Sequence, residues 1–457
     1  MTSSSERKYF FRLATSSSEP RSSEAPGNLP KEILDLLLNV IEREVLREKK
    51  PQLQELESVL GGLLMQRGIQ EEFDNVQGNS DAPAQGLDNN QSSSLPLVRK
   101  LIQEGYLRDE SKWLTSKGFA KIGSRILEDV MKALKIGEIG SHDTKNLGSG
   151  SVILDTVRKY EAGDDIRLIN IPMSLLNSVQ RLQMELGRVE IPLKMKSEDF
   201  EEYETLRDVR TSVVYCIDLS STMRYSTMFG DMSRIEAAKK ALWSLLLLNR
   251  KYFPNDTIYV VGFGSLASPV NIFDIPYLRT FEAGSDFLHY TNYQAAFRLS
   301  KKILYKDGSA NKRIILITDG HPSACFVDDS REVEKILETR PYSHFYMPED
   351  STLNRVKDEY DIKLDCSSGN LVYLCYRYKQ VDQYIAERTI IEAGKCLKKG
   401  IYIDTLMISE EDSLLSFVNE MERRVMGRSY YVRPEVLDRA LLTDFIRNKK
   451  TMIHASG

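Results

Sequence analysis

Three short segments, far apart in the 457-residue chain, carry oxygen donors at spacings that suit a hard divalent cation. The first is Asp218-Leu219-Ser220-Ser221-Thr222, a carboxylate followed by hydroxyls two and four residues on. The second is Thr291-Asn292-Tyr293, and the third is Thr318-Asp319-Gly320. The candidate metal ligands are Asp218, Ser220, Thr222, Thr291 and Asp319, and none of them is a soft ligand. Mg²⁺ and Mn²⁺ accept oxygen shells of this kind, and Mg²⁺ in particular often keeps several waters. Hydroxyls are neutral, so an ion held by them keeps net positive charge. It would draw a carboxylate from another molecule into an open position.

These donors need elements that end where they stand. Val213-Val214-Tyr215-Cys216-Ile217 is an apolar run that stops at Asp218. Residues 257–263 form a second strand candidate, residues 313–317 a third that stops at Thr318, and residues 401–408 a fourth. Between them, helical periodicity covers 234–251, 293–305, 389–399 and 414–425. Near-continuous apolar strands alternating with amphipathic helices predict a parallel sheet covered on both faces. In such sheets ligands bind outside the carboxyl ends of the strands. An Asp at a strand end is often only the cap of the next helix. That reading competes for Asp218, Ser220 and Thr222 taken alone, and loses ground once Thr291 and Asp319 stand at equivalent places.

The set Asp218-x-Ser220-x-Thr222, Thr291 and Asp319 resembles the metal-ion-dependent adhesion site of von Willebrand factor A (VWA) domains. The resemblance covers about half the chain, roughly 210–426. It implies an α/β fold, a Rossmann-like VWA domain with a mostly parallel central sheet flanked by helices. It implies that Ser220, Thr222 and Thr291 coordinate the ion directly, with Asp218 and Asp319 acting through water or as orienters. It also implies a protein partner whose Glu or Asp completes the shell. Two departures stand out. Thr222 occupies a position more usually Ser, and His289-Tyr290 replaces the usual Gly-Gly before Thr291, which leaves that loop less backbone freedom. Leu175-Leu176-Asn177-Ser178-Val179 and Gly320-His321-Pro322-Ser323 are further similar to intracellular CoxE-like and magnesium-chelatase D-like VWA proteins. That narrower resemblance implies a AAA+ ATPase partner of the MoxR type.

The rest of the chain divides by composition. Residues 1–28 read as a disordered polar tail, 29–73 as a helical segment and 74–94 as a flexible linker rich in Asn, Gln, Ser and Gly. Residues 95–149 read as a helical hairpin region whose middle also resembles small winged-helix units. Residues 150–209 form a mixed α+β connection, 210–430 the VWA domain with an insertion at 321–388, and 431–457 a C-terminal helix and tail.

Lys plus Arg is 62 and Asp plus Glu is 66, a net charge of −4, which argues against a globally basic nucleic-acid binder. The strongest apolar run, 241–248, is too short to span a bilayer. Five scattered cysteines and no export signal make a cytoplasmic location the expectation and disfavour an extracellular adhesin. Cys216 reads as inert core, and Cys366 and Cys375 as free thiols flanking a hairpin at Gly369-Asn370. His321 and Cys325 lack a second ligand pair and read as loop residues. The acidic run Glu198, Asp199, Glu201, Glu202 and Glu204 reads as a solvated strand face. Gly148-Ser149-Gly150 lacks the Lys-Ser/Thr of a phosphate loop, and no GxSxG, HExxH or paired CxxC is present. The expectation is therefore a non-enzymatic, metal-dependent adaptor for a AAA+ ATPase. The alternative is a Mg²⁺-dependent phosphoester hydrolase using His289 or His321 as base.

Overall fold

The computed structural model describes residues 30–47, 52–66, 96–133, 147–160, 169–186, 192–206, 210–226, 232–284, 286–309, 311–340, 343–377, 380–409, 412–425 and 427–445. The expected tail and linker lie outside these. The N-terminal region supplies helices α1 (Lys31–Leu46), α2 (Leu53–Gln66), α3 (Pro96–Gln103) and α4 (Ser116–Ala133). Then come strand β1 (Leu147–Lys159), helix α5 (Ile171–Leu186) and strand β2 (Glu201–Leu206). β1 pairs antiparallel with β2, and α5 packs against β2.

The apolar runs fold as the central strands. These are β3 (Thr211–Asp218), β4 (Thr257–Phe263), β6 (Asn311–Thr318) and β10 (Ile401–Met407), with β5 (Ala267–Val270) and β11 (Ser429–Tyr431) at the two edges. The six-stranded order is β11-β10-β6-β3-β4-β5, parallel throughout except for β5. Every residue of β3 is buried, as a strand with both faces covered requires. The flanking helices are α6 (Arg234–Tyr252), α7 (Tyr293–Lys306), α10 (Gln383–Leu397) and α11 (Asp412–Val425). α7 lies against β3, β4 and β5, and α10 bridges α7 to α11. A further helix begins at residue 437.

Helix α6 starts at a capping box. Ser233 accepts from the Glu236 N–H, and Glu236 accepts from the Ser233 N–H. Its buried residues include Trp243, whose ring stacks on Phe119 of α4 at 4.9 Å and whose Nε1 donates to the Phe119 carbonyl at 3.2 Å. The buried ammonium of Lys239 donates to the Leu278 carbonyl at 3.0 Å. Through the Trp243–Phe119 contacts the N-terminal helices share one apolar core with the sheet domain. Among the described residues, 147–206 contribute no side chain to that core.

The insertion after Asp319 has its own architecture. Strands β7 (Ala324–Phe326), β8 (His344–Tyr346) and β9 (Val372–Leu374) form a three-stranded antiparallel sheet in the order β7-β9-β8, with helices α8 (Ser330–Thr339) and α9 (Asp350–Tyr360) between them.

Three local expectations are corrected. There is no hairpin at Gly369-Asn370: a turn leads into β9, whose partners are β7 and β8. Helix α10 starts at Gln383, inside the span assigned to the insertion, because Asp382 caps it by accepting from the N–H groups of Tyr384 and Ile385. The acidic run is only partly a solvated face: Glu198 is exposed, but two of its members are not. Asp199 and Glu202 are buried, and Asp199 takes two hydrogen bonds at 2.8 Å from the Arg181 guanidinium. The ion pair replaces the water that the carboxylate gives up.

Candidate metal centre

Strand β3 delivers Asp218 to the carboxyl edge of the sheet, where it is fully buried. Its Oδ1 accepts from the Ser220 N–H at 2.8 Å, which turns the chain sharply after the strand. Its Oδ2 accepts from the Thr318 hydroxyl at 2.6 Å. Residues Ser221–Arg224 then make a single 3₁₀ turn, and this brings the Ser220 and Thr222 hydroxyls within 3.1 Å of each other. Thr222 donates to Asp319 Oδ1 at 2.9 Å. A continuous chain of contacts therefore runs from Asp218 through Ser220 and Thr222 to Asp319.

Thr291 is placed by a different route. The loop before it runs against the turn between β4 and β5. The Ser265 N–H donates to the Leu288 carbonyl at 3.0 Å, and the Asn292 N–H donates to the Gly264 carbonyl at 3.0 Å. A Cβ on Gly264 would stand 2.2 Å from the Leu288 oxygen, so only glycine permits this approach. In the same loop Phe287 has a φ of 49°, a costly left-handed conformation for a bulky residue. Asn292 caps α7 by accepting from the Ala295 N–H at 3.1 Å. Thr291 itself is clamped by Ser323, whose hydroxyl accepts from the Thr291 N–H at 3.0 Å and whose N–H donates to the Thr291 carbonyl at 2.9 Å.

Ser220, Thr222, Thr291 and Asp319 line one cleft of about 480 Å³, together with Arg234, His289, His321 and Tyr376. Asp218 is fully buried and does not line the cleft; it is tied to it through Ser220. Among the described residues no three His, Cys, Asp or Glu side chains cluster in a way that could hold a metal. A cation here would be held by hydroxyls with two carboxylates behind them. That donor chemistry fits a hard ion and not zinc. Cys325 does not join His321: it turns into the small core of the insertion with Ile336 and Tyr373. Cys216 is inert core, its thiol pushed up to about 12 by burial.

The two carboxylates strain the site electrostatically. Burial lifts Asp218 above the usual carboxylate range, and the neighbouring charge of Asp319 lifts it further. Burial also lifts Asp319, while the Arg234 guanidinium opposes it through an ion pair at Oδ2. Burial lowers His289, with Asp286 opposing. Such a pair of buried acids gains from any cation that reaches it.

Three participants escaped the sequence reading of the site. Thr318 and Ser323 were visible only as neighbours of Asp319. Arg234 was visible only as the start of a helix. One physical signal pointed to it, since a cation on the first residue of a helix opposes the helix dipole and calls for a nearby anion.

Residues 211–361 match the vWA-domain model of the Rv0959-like proteins, and residues 152–205 match the third-domain model of the same group. The chain carries a VWA domain, and its sheet continues past the matched segment into β10 and β11. It is similar to the uncharacterized protein Rv0959 of Mycobacterium tuberculosis (strain ATCC 25618 / H37Rv), with 22% identity over 358 residues, 78% of this chain and 45% of that protein. The same values hold for the uncharacterized protein Mb0984 of Mycobacterium bovis. The chain thus spans about half the length of the curated relatives it matches. Among solved structures it is similar to the PilB minor pilin from Streptococcus sanguinis, at 18% identity and a TM-score of 0.38 over 59% of this chain and 68% of that one. It is also similar to the vWF domain of the type V pili tip protein Mfa5 from Porphyromonas gingivalis, at 14% identity and a TM-score of 0.37 over 54% of this chain and 97% of that one. Among the described residues no helix is long and apolar enough to cross a membrane.

Proposed function

We propose that the VWA domain is a metal-dependent protein-interaction module. Ser220, Thr222 and Thr291 would hold Mg²⁺ or Mn²⁺, and Asp218 and Asp319 would orient those hydroxyls and balance the charge. When bound, such an ion supplies a Lewis-acidic open position for a carboxylate oxygen of a partner's Glu or Asp. The observation that carries this reading is the contact chain Asp218–Ser220–Thr222–Asp319 running along a cleft that Thr291 also lines. The insertion contributes His321 and Tyr376 to the cleft wall, with rings 6.0 Å apart and 16° from parallel, where they would select among acidic partners.

The resemblance to CoxE-like proteins makes a MoxR-type AAA+ ATPase the partner to try first, with this chain as its adaptor in a reducing, cytoplasmic setting. The test is capture of the purified ATPase by the full chain with and without Mg²⁺. Capture lost on chelation and in Asp218→Ala supports the module. Capture indifferent to both removes the metal from the interaction.

One observation favours a second reading. Two imidazoles, His289 and His321, face the same cleft, and a Mg²⁺-dependent phosphoester hydrolase would need such a base. Mg²⁺-dependent turnover of a generic phosphoester, lost in His289→Ala or His321→Ala, selects the enzyme. Absence of turnover selects the adaptor.

A further inference from the structure

We propose that Arg234 is a resident counter-cation. Its guanidinium supplies the positive charge at Asp319 while no divalent ion is bound, and it must leave that carboxylate when one arrives. This rests on the metal-binding reading of the same cleft.

The placement of Arg234 is electrostatically costly unless it serves the cleft. It is the first residue of α6, where the helix dipole disfavours a cation. Its Nη1 pairs with Asp319 Oδ2 and lies 3.5 Å from the Thr222 carbonyl. The Asp319 side chain is 0% exposed, and that of Arg234 is 22% exposed. A carboxylate sealed in this way requires a counter-charge. Thr222 occupies its other oxygen. Thr222, a proposed ligand, and Asp319, the carboxylate proposed to balance the ion's charge, are therefore turned toward each other and toward an arginine.

The arginine is weakly anchored for a structural one. Structural arginines commonly use two parallel N–H bonds to grip a carboxylate. Here the buried Nε has no hydrogen-bond partner among the described residues. One nitrogen carries the attachment, so one ion pair is what a competing cation has to replace. A guanidinium and a divalent ion sharing Asp319 would repel strongly in a buried site. Metal entry and arginine release are therefore linked, and each weakens the other.

The experiment is calorimetric titration of Mn²⁺ into the full chain as wild type, Arg234→Gln and Arg234→Lys, with thermal melts of each protein with and without Mn²⁺. Arg234→Gln should bind Mn²⁺ at least about tenfold more tightly than wild type, with Arg234→Lys between them. Metal-free Arg234→Gln should melt below wild type and gain more from saturating Mn²⁺. Equal or weaker binding by folded Arg234→Gln overturns the proposal while leaving the metal site intact, because the arginine then only positions Asp319. If the Gln variant is unfolded, the Lys variant decides by the same criterion. No heat in any of the three proteins removes the metal reading and this proposal together.

Discussion

Thr222 donates its hydroxyl hydrogen to Asp319 at 2.9 Å, across 97 residues of sequence. One residue before Asp319, Thr318 donates to Asp218 at 2.6 Å, across 100 residues in the opposite direction. These two crossing bonds tie the carboxyl ends of the adjacent strands β3 and β6 together, and both involve buried carboxylates. The site is therefore assembled by the sheet and does not depend on the loops alone.

Thr222→Val keeps the shape of the side chain and removes its hydroxyl. It takes a proposed ligand from the ion and a donor from Asp319. Loss of a hydrogen bond to a buried charged group should cost about 1–3 kcal/mol in urea unfolding. Mn²⁺ affinity should fall by about tenfold or more on the same scale. Retained affinity in this variant would exclude Thr222 from the shell.

Ser323→Ala should weaken metal binding without touching a ligand. Its hydroxyl accepts from the Thr291 N–H at 3.0 Å. Without it, that buried amide loses its acceptor, at a cost of about 1–3 kcal/mol, and Thr291 loses its clamp. Ser323→Thr, which restores the hydroxyl, should recover Mn²⁺ affinity. Failure of that rescue would mean that Ser323 matters only for packing.

The buried pair Asp218 and Asp319 gives a pH signature. Both carboxyl groups titrate above their ordinary range when folded, chiefly through burial. The stability they contribute is full below the unfolded carboxylate value of about 3.9 and is lost as pH rises through the raised folded values. Mn²⁺ needs the deprotonated forms, so the rise in melting temperature that it produces should grow from pH 5 to pH 8. A shift independent of pH would separate the two carboxylates from the metal.

Asp307 should act with the opposite sign. Burial alone would raise it, but the hydroxyls of Ser309 and Ser212, the Ser309 N–H and the Tyr259 hydroxyl hold it down to about 2. Its contribution is present above the unfolded value of about 3.9 and is lost as pH falls toward the folded one, amounting to about 2–3 kcal/mol. Acid titration of unfolding free energy should show that loss between about pH 4 and pH 2. Asp307→Asn should flatten this limb of the curve, and an unchanged slope would contradict the assignment.

The central strands were legible because each is a nearly continuous apolar run, a pattern that a doubly covered parallel strand requires. The edges were not. β5 contains Pro269, which argues against a strand unless it lies at an edge, and β5 does lie there. β11 has only three residues. Of the five proposed site residues, Asp218, Ser220, Thr222 and Asp319 stand at or just after strand ends, where an apolar run stopping at a polar residue marks them. Thr291 showed only as a hydroxyl before a helix, with no strand end to mark it, because its place is set by long-range contacts with Ser323 and by the close approach at Gly264. Asp199 was misread because its partner Arg181 lies 18 residues away on another element.

The most direct measurement is a Mn²⁺ titration of the full chain followed by electron paramagnetic resonance, in which the free ion gives a six-line signal that bound ion lacks. One Mn²⁺ per chain should be lost from that signal, excess Mg²⁺ should return it, and a Ser220→Ala, Thr291→Val double variant should leave it undiminished. A wild-type protein that never quenches the signal, or a double variant that quenches it equally well, would contradict the proposed centre.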